Sequence, residues 1–369
     1  MPEFIPAREL ARLYYLEAVK PILNAGYPDL VHSAGLIGPG SEVLGFDTEM
    51  STDHNWGPQV VIYLTQADHA RFAGELRTTL GNKLPLVFRG WPTHFEEVPD
   101  DPDTVVPRLA DARPINHRVW VTTLHGFVSR YLGVDLDREM IVLDWLAIPE
   151  QNLRTLAAGA VYHDGLNILE PMRRKLAYYP HDVWLYLLSA QWQRIGQEEP
   201  FVGRTGTVGD DVGSAVIAAR LVRDLMRLCL LMERQYAPYP KWFGSAFARL
   251  NCAPALTPIL QGVLQATDWH EREKYLSAAY EIVAAMHNDL SITPPVQAKV
   301  SRFWGRPFWV IQGEKIARTI WEAIQDQEIK RLPYGVGKVD QIVDSTDILS
   351  HAKRCRQLSM LYVEQKGEQ

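Results

Sequence analysis

Apolar positions along the first 150 residues change period several times. Leu10, Leu13, Tyr14, Ala18, Val19 and Ile22 recur at helical spacing over 7–24, and Gly26 and Pro28 end that run. The unbroken apolar stretch 60–64 has the length and β-branched content of a buried strand. Asp68 can cap a helix reaching about Leu80, where Gly81 and Asn82 stop it. Residues 86–88 and 119–122 predict further strands, separated by the Pro/Asp-rich stretch 99–107, and 125–132 reads as helix. Alternation of this kind predicts a small mixed sheet covered by helices.

From about residue 148 the pattern becomes helical, over 152–159, 182–194, 212–235, 241–250, 254–266, 269–288, 313–327 and 346–364. The expected fold class is therefore α+β. A sheet-containing domain is expected over 1–150 and a mainly α-helical domain over 151–369, with the change falling near 148–170. The chain shows no internal repeat and no low-complexity segment.

At 47% hydrophobic and 22% charged, the 369 residues can supply two cores of ordinary size. The net charge of -6, from 38 basic and 44 acidic residues, gives no general attraction for nucleic acid. Cys229, Cys252 and Cys355 are far apart in apolar helical contexts, which predicts buried, reduced thiols and excludes a Cys/His zinc spacing. No signal peptide and no uncharged apolar run of about 20 residues is visible, so a soluble cytoplasmic chain is expected, with no membrane partner.

The most informative segment is 40–58. A Gly40-Ser41 turn comes first, then Ser51-Thr52-Asp53-His54-Asn55, then Trp56-Gly57-Pro58 and the strand. That order resembles the signature of the polymerase-β-like nucleotidyltransferases. The resemblance implies that Gly40 and Ser41 hold nucleotide phosphates and that Asp53 and Asn55 hold Mg²⁺ or Mn²⁺. The chemistry agrees: glycine admits phosphate oxygens close to the backbone, and helix-start amides donate to them. Side chains at i and i+2 of an extended segment point the same way and can share a metal. The family pattern has an acid where this chain has Asn55, a neutral and weaker ligand for a hard cation; Asp47 and Glu49 offer carboxylates in the same loop. A third family acid on a later strand has no counterpart at 119–122, which leaves Asp144 and Asp164 as open alternatives. Ser51 fits a turn cap beside Asp53, and either acid can instead cap a helix.

Longer words at 40–47, 51–58, 178–184, 201–214, 236–244 and 306–308 resemble a bacterial family with a nucleotidyltransferase-like fold, known only as a domain of unknown function. Within the helical half, the glycine-rich segment 201–214 lacks a Gly-Lys-Ser/Thr ending and follows residues that read as helix rather than strand, which argues against a P-loop. It reads instead as a loop with Arg204 near phosphates and Asp210 or Asp211 near the acceptor, or as a helix start with capping acids. Lys241 resembles the lysine such enzymes place on a helical domain to reach the triphosphate. The chain has no Gly-x-Ser-x-Gly elbow and no His-Glu-x-x-His pair, which argues against serine-hydrolase and zinc-protease classes.

The resulting expectation is transfer of a nucleoside monophosphate from an NTP to a small-molecule acceptor, with pyrophosphate released. Asp53 and Asp210 are the expected catalytic residues, Gly40, Ser41, Arg204 and Lys241 bind nucleotide, and Asp53, Asn55 and Asp47 bind metal. Two alternatives stay open: a nucleotide-binding or regulatory protein without catalysis, and a toxin- or defence-type enzyme acting on tRNA or protein.

Overall fold

Two compact units divide the chain: the first is Met1–Glu139 with Asn152–Ala177, the second Met140–Gln151 with Tyr178–Gln369. The computed structural model describes residues 2–135 and 137–362. The architecture is the mixed α+β class expected from the pattern.

In the first unit, helices α1 (Ala7–Tyr14) and α2 (Lys20–Gly26) are joined by a π-helical turn, and strand β1 (Ser33–Leu36) follows. A one-turn helix α3 (Ser41–Leu44) leads to strand β2 (Gln59–Leu64) and helix α4 (Gln66–Lys83). Short strands β3 (Val87–Phe88) and β4 (Trp91–Pro92) precede the hairpin β5 (His94–Val98) and β6 (Asp101–Arg108). Then come β7 (Arg118–Thr123) and α5 (Leu124–Leu132). Helix α6 (Val142–Ala147) belongs to the second unit, and the division falls within α7 (Glu150–Ala157). Strand β8 (Ala160–Asp164) and helix α8 (Leu169–Lys175) complete the first unit.

The main sheet has the order β7-β2-β1-β8. β2 and β7 run parallel, with Gln59 opposite Arg118 and Leu64 opposite Thr123, whereas β1 is antiparallel to β2 and to β8. β2 has a neighbour on each side and is buried at all six positions, which explains its unbroken apolar run. Ile62 and Leu64 of β2, Leu10 and Tyr14 of α1, and Leu76 and Leu80 of α4 share one core. Helix α4 is capped by Thr65, whose hydroxyl accepts from the Asp68 amide, rather than by Asp68.

The second unit is helical: α9 (His181–Glu198), α10 (Phe201–Gly206), α11 (Asp211–Met232), α12 (Pro240–Phe247), α13 (Ala253–Gln265) and α14 (Trp269–Asp289). A two-residue pair of strands, β9 (Ser301–Arg302) and β10 (Trp309–Val310), precedes α15 (Gly313–Ala323). The helix expected over 313–327 stops at Ala323 and resumes as Gln327–Lys330. The one expected over 346–364 is broken into Thr346–Leu349, Ala352–Gln357 and Leu358–Tyr362, and residues 363 and 364 lie outside the described residues. All three cysteines are buried and unpaired, as expected. Among the described residues, no helix is long and apolar enough to cross a membrane.

Helix α9 packs against α11 and α15. The α9–α15 crossing is close because Gly196 and Gly313 meet there: a Cβ on Gly313 would lie 2.8 Å from the Gly196 nitrogen and from the Trp192 carbonyl oxygen. At the same place Glu199 accepts from the amides of Ile311 (2.6 Å) and Gly313 (3.0 Å). Burial pushes its carboxyl up to about 8 against the pull of those amides. Gly313→Ala should therefore destabilise the protein by roughly 1–3 kcal/mol through overpacking against rigid backbone. Urea unfolding checks this; a change below about 0.5 kcal/mol, the usual range for surface substitutions, would show the crossing to be looser than described.

Candidate functional site

The Gly-Ser turn lies between the C-terminal end of β1 and the start of α3. Gly40 has φ 115° and Gly38 φ 144°, a region that favours glycine, and Ser41 is the first residue of α3. A Cβ on Gly40 would collide with the Glu42 carboxylate, which folds back over the turn. Glu42 is 8% exposed and accepts from the Gln59 amide at 3.4 Å. Burial raises its carboxyl above the usual range, opposed by its own backbone amide, by the Arg118 charge and by Gln59.

The loop after α3 is held by its own polar groups. Asp47 Oδ2 accepts from the Ala7 amide (2.7 Å) and from Trp56 Nε1 (3.1 Å), and Trp56 is buried against Phe4 and Trp91. At the 3₁₀ turn Glu49–Asp53 the Thr48 amide donates to Ser51 Oγ (3.1 Å) and the Ser51 amide to the Thr48 carbonyl (2.9 Å), so Ser51 caps the turn. Asp53 ends that turn with its side chain 65% exposed, 2.9 Å from His54 Nδ1. The small desolvation of its carboxyl is outweighed by these bonds to His54, and its pKa is lowered. Asn55 adopts φ 52°, which asparagine tolerates, and its Oδ1 accepts from the Val105 amide (3.1 Å) and Arg118 Nη1 (3.2 Å). That amide ties the loop to the hairpin and to the first residue of β7.

A cavity of about 650 Å³ opens beside this turn. Gly38, Pro39, Glu42 and Val43 line one side, Gln59–Val61 and 117–121 the sheet side, and Arg77, Arg130 and Tyr131 the helices. Gly40, Ser41, Asp53 and Asn55 are not among the lining residues. Three arginines, Arg77, Arg118 and Arg130, thus line the cavity together with one carboxylic acid, Glu42, and the Arg118 charge acts on that carboxyl. Burial lowers the Arg118 pKa, opposed by the nearby Glu42 charge, and its guanidinium lies 5.6 Å from the Phe95 ring centroid. Arg130 lies 5.4 Å from the Trp120 ring centroid, and Trp120 also lines the cavity. Glu42, Gln59, Arg77, Arg118 and Arg130 had no signal in the motif reading, although Arg118 is a lone charge at the head of an apolar strand.

Asp164 and Asp144, the alternatives for a third acid, both serve helix starts. Asp164 at the end of β8 accepts from Ser33 Oγ (2.7 Å) and from the amides of Ile168, Leu169 and Glu170; partial desolvation raises its pKa, but those bonds outweigh it and lower it. Asp144 accepts from the Ile141 amide (3.0 Å) and pairs with Arg356 (2.9 Å).

Arg204, Asp210 and Lys241 lie in the second unit. The segment read as a glycine-rich loop is helix α10 over 201–206, with Gly203 and Gly206 packed against Phe308 and Trp269. Arg204 lies over the Phe201 ring at 5.4 Å and Lys241 over the Trp242 ring at 5.1 Å. Asp210 is the N-cap of α11, its Oδ1 accepting from the Gly213 amide at 2.8 Å.

The structure also shows a buried charge network in the second unit, absent from the motif reading. Glu150 lies 3.4 Å from Arg227, and Lys338 lies 3.2 Å from Asp340; all four are at most 8% exposed.

Fold and cavity define an α+β protein with a cation-lined pocket beside a glycine turn. Residues 145–243 match the family described as "Domain of unknown function (DUF4037)". A solved structure, that of a nucleotidyltransferase-like protein from Exiguobacterium sibiricum 255-15, aligns at 10% identity over 82% of this chain and 97% of that chain, with a TM-score of 0.29. At that score the overlap does not define a shared fold. Comparison with curated proteins gives no match.

Proposed function

We propose that the first unit binds a nucleoside triphosphate in the cavity beside the Gly40–Ser41 turn and transfers its nucleotidyl group to a small-molecule acceptor, releasing pyrophosphate. The observation that supports this is one pocket joining a glycine turn to Arg77, Arg118 and Arg130. Guanidinium forks match phosphate oxygens bidentately, and their charge offsets that of a triphosphate. Trp120 offers an aromatic face on the same wall. A divalent cation, Mg²⁺ or Mn²⁺, would neutralise triphosphate charge; Asp53, exposed in the loop after α3 and outside the cavity lining, is the carboxylate we assign to it, which requires the cation to sit at the mouth of the cavity rather than inside it.

A second reading has a specific observation behind it. The Asn55 oxygen is committed to the Val105 amide and Arg118, and Asp47 Oδ2 to Ala7 and Trp56. Those bonds favour a nucleotide-binding protein without turnover. One experiment separates the two. Magnesium- or manganese-NTP at about 100 times its Kd should stabilise the fold by roughly 2.7 kcal/mol under either reading. Only the enzyme should release pyrophosphate, and Asp53→Asn should abolish release. Thermal melts with no shift for any of the four NTPs would refute both.

A further inference from the structure

At the other end of β2 and β7 lies a second cavity, of about 320 Å³, lined by Leu64, Thr65, Thr123, His125, Asp135 and Asp137 among others. Helices α4 and α5 both begin there, capped by Thr65 and Thr123. His125 is in the first turn of α5. Gly133, at φ 66°, ends that helix, and the returning chain carries Asp135 and Asp137 back to the histidine. One ligand atom from each of the three lies within 4.8 Å of the other two, the only such group among the described residues.

We infer that His125, Asp135 and Asp137 form a divalent-cation site that selects Zn²⁺ over Mg²⁺, with open positions facing this cavity. His125 Nδ1 and Asp135 Oδ1 are 3.5 Å apart, longer than a good hydrogen bond. Two ligands each about 2.0–2.1 Å from a tetrahedral zinc are separated by roughly 3.4 Å, so the gap has the length of one edge of such a site. The Asp137 amide donates to Asp135 Oδ1 at 2.9 Å, which fixes the direction of that carboxylate. The imidazole separates this group from an acidic cluster: nitrogen donors suit zinc, whereas all-oxygen sets suit magnesium and calcium. The other exposed His–Asp pairs, His54–Asp53 at 2.9 Å and His270–Asp268 at 3.4 Å, do not belong to a group of three. Three protein ligands leave a fourth position for water or an oxygen ligand from the cavity.

The inference is independent of nucleotide binding, and the test uses the full chain and metal alone. Equilibrium dialysis and calorimetric titration with ZnCl₂ should show one tight equivalent, with MgCl₂ binding far more weakly. His125→Ala and Asp137→Asn should each weaken zinc by more than the roughly 10–100-fold that loss of a supporting residue costs. His270→Ala should leave the tight equivalent unchanged. All three side chains are exposed, so the variants should melt like wild type without metal. A wild type with no tight equivalent, or a His125→Ala protein that keeps it, would overturn the site.

Discussion

Lys338→Met should destabilise the protein by roughly 3–5 kcal/mol, the cost of removing one partner from a buried ion pair. Lys338 is 1% exposed, and its ammonium donates to the Ile148 carbonyl and the Tyr179 hydroxyl, each at 2.7 Å, and sits 3.2 Å from Asp340. Asp340 in turn accepts from the Glu150 amide at 3.1 Å, and Glu150 accepts from the Ala237 amide at 3.2 Å. Two buried acids therefore share two buried cations. Burial raises the Glu150 carboxyl, with Lys338 the largest influence pulling it back and Arg227 the next. Without Lys338 that carboxyl rises further above its unfolded value. A carboxyl raised on folding keeps its proton in the folded state while the unfolded chain has lost it, so stability falls as pH rises through the folded pKa. The deficit of Lys338→Met should thus be larger at pH 8 than at pH 5. Adding Asp340→Asn should recover part of it, because the stranded charge is gone. Urea unfolding at both pH values checks this. A loss below about 1 kcal/mol, within what exposed pairs contribute, would mean that the four charges are not coupled.

Much of the fold was legible because burial writes itself into period. β2 and β7 lie at 59–64 and 118–123, within a residue of the apolar runs, and α9, α11, α13 and α14 follow their helical patterns closely. β8 was not legible. All five of its residues are half-buried, so neither an apolar run nor an alternation marks it. The stretch 99–107 reads as loop because of its prolines, yet 101–108 is a strand of a two-stranded hairpin. A strand paired on one side can hold Pro107, whose missing N–H need face no partner. In α10, glycine signals close contact with Phe308 and Trp269 rather than a flexible loop. Sequence alone could not tell these apart, since both select for a missing side chain. At the candidate site, the turn and the strand could be read from local residues. The cavity could not, because Glu42, Gln59 and Arg118 meet only through the parallel register that sets Gln59 opposite Arg118.

That register carries the second large effect. Arg118→Ala should weaken NTP binding roughly 10–100-fold, the loss expected for about 1.5–3 kcal/mol of charge-assisted hydrogen bonding. Arg118→Lys should fall between, since a lysine keeps the charge and loses the planar fork. Arg118 also bonds Asn55 and lies against Phe95, so lost affinity could reflect a damaged fold instead. Glu42→Gln resolves this. It is nearly isosteric, keeps an acceptor beside Gln59, and removes a negative charge from the cavity that Arg77, Arg118 and Arg130 also line. Measured by titration with NTP in EDTA, where no metal can bridge carboxylate and phosphate, it should tighten binding several-fold while Arg118→Ala weakens it. Opposite signs from two substitutions in one pocket follow from its charge balance and not from general loosening, which would weaken both. Two losses of similar size, with melting temperatures lowered alike, would assign Glu42 and Arg118 to holding the turn together and move the triphosphate elsewhere.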